Sequence, residues 1–483
     1  MAELLDDPVA VGSPAHGGFV VGRVGSVVTL VRHAVPGEVV RVAVTARRSR
    51  VWFADAVEVI EPARTRVRHV WPEAGPGGVG GGDLGHVAPA AQLDWKTAVL
   101  DDSLRRIGGE QVAGDVAAAE GSTAVRAVAD PAQPGTRTRV ELTGAADGRL
   151  GMHRYRGDEV LPLARLPLAD PRLDAPALLS DLRVDPGARV RAVVGSGTGP
   201  DAEPRLLVDG RALRGGPRVA ETVPTVLGPL DLTVAADGFW QVHHAAPATL
   251  VEVVLALAAG VAPRLPDPPA WLPDEAGTAH GSDHAAGQRA PGERPPGERP
   301  PGERDAAAGP AGTDEDARAD KVRADAVRAG LDGTRVLELY SGAGLLSAAL
   351  ARAVGPDGGV LTLEGAPGAV DDARANLVGT PWARPLSGAV DAGSVAALGR
   401  EPEWAAGGTV VLDPPRAGAR ADVMSAVADL GPRRIVHVAC DPAALARDLA
   451  AARSAGYVAE RVVALDLFAH THHLEAVVSL VRA

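Results

Sequence analysis

Hydrophobic residues follow two different patterns along the chain, and the change between them divides it. In the first part, valine-rich runs alternate with turns such as Pro36-Gly37, and this alternation predicts a small all-β unit. From about residue 321, apolar strand-length runs alternate with amphipathic helix-length segments. Repeated βα units of this length predict a doubly wound parallel sheet, so the fold class is α/β.

The pattern after residue 321 predicts four strands and five helices, followed by a final pair of strands. In chain order the predicted elements are helix 321–330, strand 336–339, helix 345–354, strand 360–364, helix 367–377, strand 409–413, helix 421–429, strand 435–440 and helix 443–455.

The middle of the chain carries short strand-like runs between Pro/Gly turns, after a helical segment at 92–107. The glycine-rich stretch 75–88 lacks the Lys-Ser/Thr ending of a phosphate-binding loop and is interpreted as irregular backbone. A near-perfect Pro-Pro-Gly-Glu-Arg repeat lies in a segment with almost no large apolar residue, which predicts a disordered insertion. The predicted domains are an OB-like β-barrel at 1–62, an α+β central domain at 63–235, the start of a catalytic domain at 236–262, the insertion at 263–320 and a Rossmann-like domain at 321–483.

Composition restricts the class of protein. The 483 residues include one cysteine and carry a net charge of −12. One cysteine excludes an intramolecular disulfide framework, and neither a signal peptide nor an apolar run of membrane-spanning length is recognisable, so we expect a monomeric cytoplasmic protein. The net acidity argues against a protein that coats nucleic acid nonspecifically, although it permits a local basic groove. Arginine clusters at 47–50 and 64–68 fit either the solvated edge of the barrel or a nucleic-acid-binding surface.

A cofactor site is predicted at the first βα turn of the Rossmann-like domain. Gly342 and Gly344 follow one predicted strand and open a helix, and Glu364 ends the next strand 20 residues later. A short glycine loop with a ribose-binding carboxylate suits S-adenosylmethionine better than a dinucleotide. The alternative interpretation is a turn that needs glycine for packing, with a solvated glutamate.

Three acidic or nucleophilic residues are expected at the carboxyl edge of the sheet, where ligands bind. Asp413 and Cys440 each end a predicted strand, and Glu475 opens the last strand and is a candidate general base. The dipole of the helix after Cys440 favours a thiolate by about 0.3–1 kcal/mol, less than one pKa unit, so neighbouring groups must help if the thiol is a nucleophile. The alternative is a buried, inert cysteine. The histidines near Glu475 match no zinc spacing, and no metal site is predicted.

Several motifs recur in the order found in the RNA 5-methyluridine methyltransferase family, which has bacterial tRNA and 23S rRNA members. Residues 33–40 resemble the TRAM domain of that family, and residues 149–163 resemble its central RNA-facing domain. The motifs are GFWQVH (238–243), VLELYSGAGLLS (336–347), LTLEGA (361–366), VLDPPRAGA (411–419), VACDPAALARDL (438–449) and LFAHTHHLEAVVSLVR (467–482).

The resemblance implies a two-stage reaction on a uridine of tRNA or rRNA. Cys440 would add to C6 of a flipped uracil, C5 would take the methyl group of S-adenosylmethionine, and Glu475 would remove the C5 proton. By the same resemblance, Gln241, Tyr340, Glu364 and Asp413 would line the cofactor site.

The chain departs from the family pattern in two places. Many rRNA-directed members hold an iron–sulfur cluster with four cysteines, whereas this chain has Cys440 alone, so we expect no cluster. The nucleophile motif is usually Cys-Asn-Pro, and here Asp441 replaces the asparagine, which would disfavour the thiolate by charge proximity. A noncatalytic RNA-binding protein that retains the fold is therefore an alternative. A small-molecule or protein methyltransferase is disfavoured, because those reactions need no cysteine paired with a distant glutamate.

Overall fold

The computed structural model describes residues 3–130, 135–197, 203–265, 314–401, 404 and 407–483. Its first six strands form a closed five-stranded barrel with one short additional strand, β1, paired to β5. The order around the barrel is β5-β2-β3-β4-β6, and β6 pairs back to β5. Alternate valines of β5, Val40, Val42 and Val44, fill the interior. The bounds are β1 Glu3–Leu4, β2 Val9–Ala15, β3 Phe19–Val24, β4 Val27–Arg32, β5 Val39–Arg47 and β6 Val51–Glu61.

Two helices and a strand connect the barrel to the rest of the protein: α1 Pro89–Ser103, α2 Glu110–Ala118 and β7 Glu120–Ala127. Helix α1 is shared between two cores, because Trp95 packs with the barrel valines whereas Leu100 packs under the large sheet. Helix α1 ends at Ser103, and the last residues of the predicted helix 92–107 form a π-helical turn instead. The barrel therefore docks on the large sheet through a common helix.

A six-stranded antiparallel sheet and a separate hairpin follow. The sheet has the order β10-β9-β8-β11-β12-β13, and the hairpin consists of β14 and β15. The bounds are β8 Arg139–Gly144, β9 Leu150–His153, β10 Val160–Pro162, α3 Ala175–Asp181, β11 Arg189–Val193, β12 Arg205–Val208, β13 Arg211–Arg214, β14 Arg218–Val223 and β15 Leu230–Ala235.

The C-terminal part forms an eight-stranded sheet in the order β18-β17-β16-β19-β20-β22-β21-β7. Strands β16 to β20 are parallel, β22 is antiparallel to β20, and β7 adds an edge strand from the region predicted as the central domain. The bounds are α4 Ala246–Ala259, α5 Asp314–Leu331, β16 Arg335–Leu339, α6 Leu345–Val354, β17 Gly359–Glu364, α7 Pro367–Asn376, β18 Ala383–Ser387, α8 Ala392–Leu398, β19 Thr409–Leu412, α9 Ala421–Asp429, β20 Arg434–Ala439, α10 Pro442–Ser454, β21 Tyr457–Asp466 and β22 Glu475–Arg482.

The α/β fold class, with a barrel ahead of a Rossmann-like domain, is confirmed, and two details of the prediction are wrong. Strand β18 and helix α8 were not predicted. Helix α5 begins at Asp314, so residues 314–320 are helical rather than part of a disordered insertion. Most of the predicted insertion, 266–313, lies outside the described residues. No helix in the described ranges is long and apolar enough to cross a membrane.

A buried ion pair fixes the segment between β21 and β22. Lys96 of α1 donates from Nζ to Asp466 Oδ1 at 2.6 Å and to the Phe468 carbonyl at 3.2 Å, and neither charged side chain reaches solvent appreciably. Removing one partner of such a pair leaves an uncompensated buried charge, at a cost of about 3–5 kcal/mol. One of only two lysines in the chain thus holds the segment that leads to Glu475.

Candidate active site

A cavity of about 580 Å³ opens at the carboxyl edge of the parallel strands. Seven of the eight residues predicted for the site line it: Gln241, Tyr340, Gly342, Glu364, Asp413, Cys440 and Glu475. The eighth, Gly344, does not. Gly344 directly precedes helix α6 and has a φ of 89°, a conformation that favours glycine. A Cβ at this position would lie 3.2 Å from Ala373, so the glycine also permits close packing of α6 against α7.

The first βα turn is held by the carboxylate of Glu364. Its Oε2 accepts a hydrogen bond from Gly342 N–H at 3.0 Å, and its Oε1 accepts one from Ala366 N–H at 2.7 Å. Gly342 has φ 53°, and a Cβ at that position would meet nothing within 4 Å, so the backbone faces open space. Each oxygen of Glu364 keeps a further acceptor position. The turn can therefore offer both backbone and carboxylate to a bound ribose.

The loop after β19 is fixed from behind by Asp448 of α10. Asp448 Oδ2 accepts from Ala419 N–H at 2.7 Å and contacts His437 Nε2 at 3.0 Å, and its Oδ1 accepts from Arg420 N–H at 3.0 Å. A Cβ at Gly418 would lie 2.7 Å from the same carboxylate, which explains the glycine in the DPPRAGA motif. This loop carries Asp413 into the cavity.

Sheet register brings Cys440 and Glu475 together. Strand β20 ends at Ala439, which pairs with Ala476 of the antiparallel strand β22. Cys440 directly follows the first residue and Glu475 directly precedes the second, so both lie at the same end of two adjacent strands. Cys440 is partly exposed to the cavity, whereas Glu475 is 4% exposed.

Proteins similar to this chain are named as RNA methyltransferases. A family model described as tRNA (uracil-5-)-methyltransferase matches residues 403–483. Proteins named as RNA methyltransferases from Streptomyces avermitilis and Bifidobacterium longum are 31% and 30% identical to this chain, over 98% and 99% of it and 97% of each relative. The crystal structure of Pyrococcus abyssi tRNA (uracil-54, C5)-methyltransferase in complex with S-adenosyl-L-homocysteine aligns with a TM-score of 0.59 at 19% identity, covering 98% of this chain and 100% of that one. The chain belongs to the RNA 5-methyluridine methyltransferase family.

Burial and mutual repulsion raise the pKa values of the acidic groups in the cavity of this methyltransferase. Burial, then the carboxylates of Glu475 and Asp413, raise the pKa of the Cys440 thiol to about 12, against a smaller opposing effect of Arg416. Burial raises the pKa of Asp413, and burial with the nearby Asp413 raises the pKa of Glu475 well above its usual value. The Cys440 thiol is therefore protonated at neutral pH, and the Glu475 carboxyl binds a proton more tightly than an exposed glutamate does.

Asp441, the residue after Cys440, has a contact at each of its two carboxylate oxygens. Its Oδ1 accepts from Ala444 N–H at 2.8 Å and caps α10, and its Oδ2 lies 3.1 Å from His16 Nε2 of the barrel. Although burial raises the pKa of Asp441, the hydrogen bonds from His16 and the Ala444 N–H lower it below the usual value overall. Its effect on the thiol is smaller than those of Glu475 and Asp413, so the expected penalty at Cys440 comes mainly from other residues.

Several residues of the cavity were not among those predicted from the sequence. Glu338 is 1% exposed, accepts a hydrogen bond from Ser347 Oγ at 2.5 Å, and has a pKa raised to about 8 by burial. Arg416 contacts His473 Nε2 at 3.2 Å, and Phe239 is 74% exposed at the cavity wall. All of these residues stand inside the quoted motifs, so the motifs located them without indicating their roles.

The relative effects of Glu475 and Asp441 on the pKa of Cys440 can be tested by measuring the rate of thiol alkylation across a pH series. We expect Asp441→Asn, which keeps the helix cap and the contact with His16, to change the rate of Cys440 alkylation less than about threefold. Glu475→Gln removes the carboxyl group with the largest electrostatic effect on the thiol and should raise that rate about tenfold or more in the alkaline range. Because the chain has one cysteine, iodoacetamide labelling followed by mass spectrometry across a pH series reports on this thiol alone. A larger effect of Asp441→Asn than of Glu475→Gln would contradict the ranking.

Proposed function

We propose that this methyltransferase transfers a methyl group to C5 of a uridine in tRNA or rRNA through a covalent bond between Cys440 Sγ and C6 of the base. The observation that carries the proposal is the position of Cys440 and Glu475 at one end of two paired strands, in a cavity that also contains the Glu364 turn. A nucleophile, a candidate base and a cofactor-sized space then face one another.

The lining of the cavity fits S-adenosylmethionine. Glu364 offers acceptor positions for ribose hydroxyls, the Gly342 backbone leaves room for close approach, and the apolar side chains of Trp240 and Leu345 can cover an adenine ring. When bound, the cofactor supplies an electrophilic methyl group on a positively charged sulfur. The carboxyl groups of Asp413 and Glu475 are placed to favour a positive charge in the same space.

Cys440 would begin the reaction by losing its proton to solvent and adding its thiolate sulfur to C6 of the uracil ring. The electrons of the C5–C6 double bond then move to C5 and the neighbouring carbonyl, which makes C5 a carbon nucleophile. A target base must leave the RNA stack to reach a thiol at the bottom of a cavity. Arg416, which lowers the pKa of Cys440, lies at the cavity wall where it can also meet a phosphate or a base edge.

Glu475 would complete the reaction by accepting the proton from C5 after methylation. The electrons of the C5–H bond re-form the C5–C6 double bond and expel the Cys440 thiolate, which regenerates the enzyme. A carboxylate in a buried site is a stronger base than one in water, because burial disfavours its charged form. The raised pKa of Glu475 suits this proton-accepting role.

A surface suited to RNA adjoins the cavity. A second cavity of about 480 Å³ shares Val242, Arg416, Phe468 and His473 with the first. On the barrel, Arg47 lies 4.2 Å from the ring centre of Trp52, and its neighbour Arg48 is exposed. Exposed arginines beside aromatic rings favour single-stranded nucleic acid by charge and by stacking. These features support an RNA substrate despite the net negative charge of the chain.

The experiment that tests the proposal is nucleoside analysis. Purified protein, S-adenosylmethionine carrying a labelled methyl group, and tRNA and rRNA from cells that lack the gene should yield labelled 5-methyluridine after digestion and mass spectrometry. Mapping the same nucleoside in cells with and without the gene identifies the RNA. A labelled nucleoside other than 5-methyluridine would overturn the C5 assignment, and the absence of any label would overturn the enzymatic role on these RNAs.

A noncatalytic RNA-binding protein is the second candidate, and the high pKa of Cys440 is the observation that favours it. A thiol with a pKa near 12 is ionised in only about one molecule in 10⁵ at pH 7. Incubation with 5-fluorouridine RNA and S-adenosylmethionine separates the two, because C5 then carries fluorine in place of the proton that Glu475 must remove. An active nucleophile is trapped as a denaturant-stable adduct, whereas a noncatalytic protein gives none.

A further inference from the structure

Three histidines from separate segments converge beneath the barrel. His33 follows β4, His69 lies in the connection after β6, and His86 ends the glycine-rich stretch. One ring nitrogen from each lies within 4.8 Å of the others. His33 and His86 are 4% and 3% exposed, and His69 is partly buried. Among the described residues, this is the group of three such side chains that could hold a metal ion.

The ring nitrogens of this three-histidine cluster lack partners on the side where they meet. Both nitrogens of His33, Nε2 of His69 and Nδ1 of His86 are buried without a hydrogen bond in the described part of the chain. Buried polar atoms are almost always paired, so four orphaned nitrogens in one place indicate a missing partner. His86 Nε2 lies 3.2 Å from the Ala34 carbonyl, and donation from this nitrogen leaves the lone pair of Nδ1 facing the cluster.

The positively charged side chains near the three-histidine cluster are already paired with carboxylates. Arg32 pairs with Asp83 at 3.2 Å, and Arg66 pairs with Glu38 at 2.5 Å. A divalent ion would therefore meet imidazole nitrogens, which are common metal ligands, without an unpaired positive charge beside them.

The glycine-rich stretch is shaped around His69. A Cβ at Gly85 would lie 2.5 Å from the His69 ring, and one at Gly82 would lie 3.6 Å from it. The backbone there is also tied to the histidine segment, because Val70 N–H donates to the Gly85 carbonyl at 3.0 Å. The glycines that the sequence analysis left as irregular backbone thus create the space in which the histidines meet.

We propose that His33, His69 and His86 bind one divalent transition-metal ion, with zinc as the best match, in a site that braces the barrel against the catalytic domain. Three imidazole nitrogen donors suit zinc, whose Zn–N bonds of 2.0–2.1 Å would draw the nitrogens to about 3.4 Å from one another, with a fourth ligand completing the tetrahedron. His33 and His86 can each offer a nitrogen lone pair that is not occupied by a hydrogen bond within the described residues. The expected role is structural.

The cluster is connected to the active site through Asp83. This residue is three positions before His86, and its Oδ2 lies 2.9 Å from His472 Nδ1. The next residue, Leu84, donates its N–H to the His470 carbonyl at 2.9 Å. His470 and His472 belong to the segment that leads into Glu475. A metal at the three-histidine cluster would therefore fix the loop against which this segment packs.

The three histidines should not contribute equally. Nδ1 of His69 accepts a hydrogen bond from Trp71 N–H at 3.0 Å, which places the proton of the neutral ring on Nε2. Ligation by His69 must therefore displace either that hydrogen bond or that proton. His33 and His86 need neither change. Loss of His69 should weaken metal binding less than loss of either of the others.

Metal titration of the tag-free, full-length protein tests the site without reference to methyl transfer. After removal of metal by a chelator, Zn²⁺ should bind one ion per chain by calorimetry and raise the midpoint of thermal unfolding. Co²⁺ should give the visible absorption of a four-coordinate ion without the intense ultraviolet band of a cobalt–thiolate bond. His33→Gln and His86→Gln should each weaken zinc binding at least about 100-fold, because loss even of an outer hydrogen-bond partner costs about 10–100-fold. His69→Gln should have a smaller effect.

The matched control is His153→Gln, which changes an exposed histidine of β9 and should bind zinc as the unmodified protein does. Circular dichroism establishes that each variant is folded, and the cobalt spectrum of the unmodified protein provides a result that needs no variant. Unmodified protein that binds no zinc at micromolar concentrations would overturn the proposal. Equal zinc affinity in His33→Gln, His86→Gln and the control, or a cobalt–thiolate band that disappears in Cys440→Ser, would place the metal elsewhere and overturn it too.

Discussion

Replacement of Cys440 by alanine is expected to lower the rate of methyl transfer to RNA at least about 1,000-fold, a loss of roughly 4 kcal/mol of transition-state stabilisation. In the proposed reaction, C5 of uracil becomes nucleophilic only after sulfur adds to C6, so no other group can replace the thiol. Binding of S-adenosylmethionine should be unchanged, because Cys440 is not among the residues proposed to contact the cofactor.

Two measurements check this result. Transfer of labelled methyl from the cofactor to RNA gives the rate, and calorimetry with S-adenosylmethionine shows that the variant still binds the cofactor. The unmodified protein should also form a denaturant-stable adduct with 5-fluorouridine RNA, whereas Cys440→Ala should form none. A Cys440→Ala protein that methylates RNA at the rate of the unmodified enzyme would disprove the nucleophilic role.

The pH dependence of the unmodified enzyme follows from the same thiol. Because the pKa of Cys440 is raised to about 12, the thiol is protonated at neutral pH, and its ionised fraction rises about tenfold per pH unit. The raised pKa of Glu475 acts in the same direction, since its base form also becomes more abundant as the pH rises. We therefore expect kcat/KM to increase from pH 6 to pH 9.

Most strands of the catalytic domain could be predicted from the sequence because the central strands of its sheet are apolar on both faces. Such runs are characteristic of buried parallel strands, and their carboxyl ends locate a site without tertiary information. Strand β18 was missed because it is an edge strand, only partly buried and interrupted by Pro385. Strand β7 was missed as part of this sheet because it is mostly polar and joins only by pairing with β21.

The extent of helix α5 could not be inferred from burial. Residues 316–320 of this helix are exposed, so no apolar periodicity marks them, and they resemble the charged segment before them. A helix can continue into solvent when its later turns are packed, as Val327 and Leu331 are here. The prediction of disorder for these residues rests on composition, and composition does not distinguish an exposed helix from a disordered segment.

Contacts between the barrel and the catalytic domain are the part of the site that no motif could reveal. His16 of the barrel contacts Asp441, and Asp83 of the glycine-rich stretch after the barrel contacts His472, across separations of several hundred residues. Each pair depends on how two folded units dock, which local periodicity does not encode. The sequence therefore identifies Asp441 as a helix-capping residue beside the thiol, but only the structure shows its partner in the barrel, His16.

Replacement of Glu475 by glutamine is expected to leave the first half of the reaction intact and to block the second. The amide has nearly the same size but cannot accept the proton from C5, so the methylated base should remain attached to Cys440. Loss of a positioned general base typically costs about 10²–10⁴-fold, and we expect turnover to fall within that range. Unmodified RNA, without fluorouridine, should then accumulate as a covalent complex with the protein.

The measurement is a single-turnover experiment with labelled cofactor. Glu475→Gln should transfer up to one methyl group per protein, and the label should migrate with the protein–RNA complex under denaturing conditions. Glu338→Gln is the matched control, because Glu338 lines the same cavity and, with a pKa of about 8, is protonated at neutral pH. Its replacement by a neutral amide leaves the charge unchanged, and turnover should stay within about threefold of the original rate.

The result with Glu475→Gln distinguishes two roles for a glutamate with a raised pKa, a structural carboxylic acid and a general base. If burial and the neighbouring Asp413 serve only to hold a structural carboxylic acid, glutamine should substitute for it without consequence. If the raised pKa prepares a base, glutamine should stall the enzyme after methyl transfer, and Asp413→Asn should lower the pH at which Glu475 becomes active, because a negative neighbour has been removed. Rapid turnover by Glu475→Gln without trapped RNA would therefore assign the C5 proton to another acceptor and leave Cys440 without its proposed partner.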